Sequence, residues 1–100
     1  MTIRQWCVYE TSGGELALVL QSDLLEAAAT RVVAPVVPSA LAGDTIPRLA
    51  PVVAIGDETL HAMIPLLGTV PVASLRTLAF DASDRADAVV RALDMLLSGV

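Results

Sequence analysis

A chain of 100 residues carries 11 acidic against 6 basic side chains, a net charge of −5, and every one of its cations is an arginine. That length gives one domain with a modest core, and that charge excludes a protein that grips nucleic acid through a basic face. The hydrophobic fraction is 55% with only 3% aromatic, so the surplus is small aliphatic side chains, which predicts that a second copy of the chain covers part of it as a homodimer.

From the start of the chain, Ile3, Gln5, Cys7 and Tyr9 alternate with Arg4, Trp6, Val8 and Glu10. This predicts a strand with β-formers on both faces. The segment holds no apolar run of the signal-peptide kind. Cys7, the only cysteine, forms neither a disulfide nor a zinc cage within one chain and reads as a small buried hydrophobe. Gly13-Gly14 predicts a hairpin turn, and residues 15–23 the returning strand, with Leu16, Leu18 and Leu20 on one face. Residues 24–31 predict a loop or extended connection despite their helix-forming Ala and Leu. Glu26, Arg31, Pro35 and Pro38 interrupt the apolar-rich stretch 24–42, which falls short of the ~20 apolar residues of a membrane span. The chain is therefore placed in the cytoplasm, away from membranes.

Residues 31–38 predict an extended segment whose Pro35 marks an edge or a bulge. Residues 39–49 are turn material around Gly43-Asp44. Residues 50–56 predict a buried strand, Gly56-Asp57-Glu58 a tight turn, and residues 59–67 the next strand, ending before Gly68. A further extended segment carries Pro71. Then the period changes. Ala86, Val89, Val90, Leu93, Leu96 and Leu97 fall at helical spacing in a stretch without proline. Asp81 or Ser83 can cap that helix, Asp84 and Asp87 sit near its positive end, and Gly99 is the glycine just past its end. The predicted class is α+β and mostly β: short antiparallel strands followed by one C-terminal helix.

Catalytic constellations are absent from this pattern. His61 is the only histidine and has no carboxylate at metal spacing, so it reads as a strand residue. Asp57 and Glu58 are adjacent and fit a turn better than an acid–base pair. No phosphate-binding glycine loop, nucleophile elbow or metal-ligand set is present, and no cofactor is implied. Ser22 and Asp23 read as turn or cap residues. The residues point to a binding module rather than an enzyme.

Four blocks, in order, carry a family resemblance. Gln21-Ser22-Asp23, followed by two aliphatics, Arg31 and an apolar run to Pro35, resembles a segment of the CcdB toxins. So do Pro51-Val52-Val53-Ala54-Ile55-Gly56-Asp57-Glu58, then Val70-Pro71-Val72, and the closing helix with Met95-Leu96 and Gly99-Val100. The resemblance implies a small twisted, SH3-like barrel with a C-terminal helix. It implies a homodimer that binds the A subunit of DNA gyrase and traps the cleaved gyrase–DNA complex. It also implies neutralisation by a CcdA-type antitoxin whose disordered tail folds onto the toxin, and transcriptional autoregulation.

By the same resemblance, the gyrase-binding residues are Ser98, Gly99 and Val100 at the tip, Ser22 and Leu24 after the Gln-Ser-Asp turn, and Asp94, where Asn is familiar. The family tip reads Trp-Gly-Ile, so Ser98 replaces its aromatic anchor. This departure raises an alternative: a CcdB-fold protein that has lost gyrase poisoning but keeps dimerisation and antitoxin binding. MazF-type endoribonucleases share the fold, but a chain at −5 without lysine is poorly suited to an RNA groove.

Overall fold

Residues 2–99 are described by a computed structural model. It contains strands β1 (Cys7–Thr11), β2 (Leu16–Val19), β3 (Thr30–Pro38), β4 (Val52–Ala54), β5 (Leu60–Ala62), β6 (Gly68–Pro71) and β7 (Leu75–Asp81), then helix α1 (Ala86–Ser98). All strand pairings are antiparallel. The order is β4-β5-β3-β2-β1-β7, with β6 also pairing β3, in a curled half-barrel whose end strands β4 and β7 do not pair with each other.

The Gly13-Gly14 turn forms as the sequence predicts. Gly14 takes φ 86°, the left-handed conformation that glycine adopts without steric cost, and its N–H donates to the Thr11 carbonyl at 2.9 Å. Strand alternation then sorts the core. Val8, Leu18 and Leu20, with Leu16 half-buried, join Val36, Ile64, Val89 and Ala92 on the helix side. Cys7, Tyr9, Ala17 and Val19 join Ile3, Val33 and Leu75 on the other. β1 and β2 are thus buried on both faces, which is why their β-formers do not segregate.

Several boundaries differ from the periodic reading, each for a local reason. The first strand starts at Cys7, because Trp6 sits at φ 67°. That conformation is rare outside glycine, and main-chain bonds hold it on both sides: Trp6 N–H to the Val19 carbonyl and Ala82 N–H to the Trp6 carbonyl, both at 2.8 Å. The predicted strand over residues 59–67 stops at Ala62, where Pro65 helps turn the chain into a 3-10 turn, Ile64–Leu66, before β6 resumes on the same edge of β3. The connection predicted over residues 24–31 is a loop, as expected, opened by a 3-10 turn, Asp23–Leu25, and running into β3 at Thr30.

The C-terminal helix begins at Ala86, the first residue of its apolar period, and later than the predicted caps. β7 runs to Asp81, a 3-10 turn covers Ser83–Arg85, and α1 starts at Ala86. Neither Asp81 nor Ser83 caps α1 itself. Asp81 Oδ1 instead accepts the Ser83 N–H at 2.8 Å, and the Ser83 hydrogen bonds hold its carboxyl below the usual aspartate value. Of the predicted stripe, Val89 is buried and Leu93 half-buried, while Val90, Leu96 and Leu97 are exposed and Ala92 takes the second core position.

Cys7 is a free, buried thiol, and burial followed by the nearby Asp81 carboxylate pushes its pKa up. Ellman's reagent is therefore expected to label native protein only at the rate at which β1 opens, and denaturant to release the full thiol at once. Rapid labelling of the native protein contradicts this burial.

Candidate functional site

The turn after β2 is built by its own side chains. Gln21 lies beside β3 and completes a ladder there: its Nε2 donates to the Thr30 carbonyl at 3.2 Å and its Oε1 accepts the Val32 N–H at 3.0 Å. Ser22 Oγ accepts the Leu24 N–H at 3.1 Å, an N-cap for the 3-10 turn. Asp23 Oδ1 accepts the Gln5 N–H at 2.7 Å, tying the turn to the N-terminal segment. Each residue of the Gln-Ser-Asp block thus satisfies a different main-chain group. The result is a fixed loop that presents Leu24, 94% exposed, and Leu25, 56% exposed.

Arg31 holds the other end of this loop. It is the one buried charged residue among those described, 4% exposed. Its Nη1 donates to the carbonyls of Ala28 at 2.6 Å and Thr30 at 2.9 Å, and its Nη2 to that of Glu26 at 2.9 Å. No carboxylate lies within ion-pair distance, since the only ion pair among the described residues is the exposed Arg4–Asp81 contact at 3.9 Å. Three carbonyls replace the water lost on burial. The sequence contains Arg31 as a family landmark but gives no hint of this role, because its partners are main-chain atoms without residue identity.

The second group lies at the end of α1. Asp94 and Ser98 are exposed one turn apart, and the Ser98 hydroxyl donates back to the Asp94 carbonyl at 2.7 Å. Gly99 adopts φ 77°, ψ 15°, and its N–H donates to the Met95 carbonyl at 2.9 Å, the left-handed ending predicted for it. Val100 lies outside the described residues. Ser22 and Leu24 thus share one turn, and Asp94, Ser98 and Gly99 share one helix end; no hydrogen bond joins the two groups among the described residues. Trp6 is half-buried against the helix-side core, so it does not supply the missing tip aromatic.

His61 is structural. Its Nδ1 lies 2.8 Å from the Ala50 carbonyl, which only accepts, so that nitrogen carries the proton, and Nε2 lies 2.8 Å from Ser39 Oγ. Asp57 and Glu58 are exposed in the β4–β5 turn. No cluster of three potential metal ligands occurs among the described residues. Among the described residues no helix is long and apolar enough to cross a membrane. A separate groove of about 580 Å3 runs over β2 and β3, with a floor that includes Ala17, Val33 and Val37 and with Glu15, Glu58 and Leu41 also lining it.

The fold is a small α+β domain, a curled antiparallel sheet with one closing helix, carrying apolar and small residues on exposed turns. The model of the CcdB protein family matches residues 5–99, and the chain belongs to that family. The protein is therefore a toxin of a toxin–antitoxin system, from a family of toxins rather than enzymes.

Proposed function

We propose that this toxin binds the A subunit of DNA gyrase, traps the cleaved gyrase–DNA complex, and is neutralised by a CcdA-type antitoxin. The observation that carries this reading is Leu24. A leucine wholly in water forgoes about 2 kcal/mol of burial, and this one stands on a loop whose main chain is held by Gln21, Ser22, Asp23 and Arg31. A pre-ordered apolar side chain of this kind suits an interface contact. Ser22 positions that loop, and Asp94, Ser98, Gly99 and Val100 supply a second contact.

The toxin acts in the cytoplasm as a homodimer, with exposed Val90, Leu96 and Leu97 of α1 as apolar surface for the second copy. The antitoxin's tail lies in the groove over β2 and β3. Its apolar side chains meet Ala17, Val33 and Val37, and its cations meet Glu15 and Glu58. Autoregulation follows from that complex.

The test is supercoiling inhibition and DNA cleavage with gyrase from the source organism. Wild-type toxin is expected to accumulate cleaved DNA, and Leu24→Asp to need at least about tenfold more protein at an unchanged melting temperature. Absence of cleavage at high micromolar toxin refutes the gyrase reading. It leaves the second reading, which the exposed Ser98 favours: a family member that dimerises and binds antitoxin without poisoning gyrase. Calorimetric titration with the antitoxin tail separates that protein from one without a partner.

A further inference from the structure

Three of the six arginines in this acidic chain converge on one recess. Arg48 comes from the 3-10 turn Pro47–Leu49, and Arg85 and Arg91 from the start and second turn of α1. They line a cavity of about 250 Å3 together with Pro47, Val52 and Ala88. No acidic residue lines it, and none of the three guanidinium groups forms an ion pair among the described residues, although the chain has 11 carboxylates. Arg85 occupies the N-cap of α1 without a side-chain cap; Asp84 and Asp87 flank it at the helix start, but neither lines the recess or forms an ion pair with an arginine among the described residues. Ala88, the small residue between Arg85 and Arg91 on the helix, leaves the space open.

We propose that this recess binds the phosphoryl group of a small phosphate-bearing ligand. Like charges gathered around one recess repel one another, and an anion seated among them relieves that repulsion. Guanidinium forks pair with phosphate oxygens in two parallel hydrogen bonds. A single carboxylate brings one charge and two oxygens, too few for three forks, whereas a phosphate dianion or a diphosphate engages all of them. The volume lies just below the ~300–1,000 Å3 of sites that enclose a whole drug-sized ligand, so the recess takes the anionic group and leaves the rest of the ligand outside. The proposal is independent of the gyrase and antitoxin readings, since none of their residues lines the recess.

The experiment is an NMR titration of the 15N-labelled protein with pyrophosphate at low ionic strength. Inorganic phosphate, a nucleoside diphosphate, succinate and a short DNA duplex are run alongside, and melting curves establish that each variant is folded. Pyrophosphate is expected to move the amides of Arg48 and of residues 85–91 in a saturable way. R48Q, R85Q and R91Q should each weaken it about tenfold, and R76Q, on β7 outside the recess, should leave it unchanged. Tighter binding of the nucleoside diphosphate identifies a nucleotide as the ligand class, and equal binding a free phosphate; either supports the site. The proposal is overturned by non-saturable shifts, by succinate binding as tightly, by equal losses in R76Q, or by duplex DNA engaging these arginines when pyrophosphate does not.

Discussion

Ser98→Trp is expected to tighten binding to the gyrase A subunit by at least about 30-fold and to lower by a similar factor the toxin concentration that yields half-maximal DNA cleavage. A central aromatic at a protein interface is commonly worth 2 kcal/mol or more, which is about that factor in affinity. The structure places no obstacle in its way. Ser98 is exposed, and its hydroxyl bonds only to the Asp94 carbonyl of its own helix. Removing that bond costs little, because Ser back-bonding of this type adds little to a helix. Gly99 beyond it is already in the left-handed conformation that turns the chain. The melting temperature should therefore stay within a few degrees while affinity changes, and surface plasmon resonance against gyrase A reads the effect directly. Unchanged affinity in a folded Ser98→Trp protein removes the helix end from the gyrase contact.

Arg31→Met is expected to lower stability by about 2–3 kcal/mol, or about 10–20 °C in melting temperature, and to disorder the loop that carries Leu24. Methionine fills much of the volume but donates no hydrogen bond, so the carbonyls of Glu26, Ala28 and Thr30 lose a common donor. Residues 23–30 are exposed, so water replaces part of that bonding and keeps the loss below that of an orphaned buried charge. The larger consequence is entropic: water does not hold the three carbonyls in one arrangement. Amide exchange over residues 23–30 should accelerate, and gyrase affinity should fall about tenfold although Arg31 itself is buried. Arg31→Lys should recover only part of the loss, since one ammonium lacks the planar fork that spans these carbonyls. Retained exchange protection in Arg31→Met assigns the order of the loop to Gln21, Ser22 and Asp23 alone.

Both substitutions separate what was legible in the residues from what was not. The Gly13-Gly14 pair and Gly99 announced their turns because only a residue without Cβ adopts positive φ freely, and Gly14 and Gly99 adopt it. Trp6 takes the same conformation unannounced, because it is imposed by main-chain bonds to β2 and to Ala82. The Gln-Ser-Asp block was legible as a turn and as a family landmark, but its division of labour was not. Ser22 caps its own turn, as its residue type suggested, but Gln21 and Asp23 bond main-chain groups brought close by β3 and by the N-terminal segment.

The same contrast holds along α1. Helical spacing correctly marked the element and its ending, yet treated Leu96 and Leu97 as equal to Val89. Which side of the stripe is covered depends on where the turns around Leu49 and Ile64 cross the helix, and that is a property of chain path.

By itself, then, the sequence determined the hydrophobic alternation of paired strands, the one helix, the special glycines and membership of a toxin family. These rest on local conformational preference and residue order, which act over a few neighbouring positions. The tertiary structure alone decided that Arg31 serves three carbonyls, that Leu24 stands in water on a braced loop, and that Arg48 meets Arg85 and Arg91. The arginine recess joins distant segments, while the Arg31 contacts are local but depend on the path the loop takes, and their partners are main-chain groups that no sequence period relates.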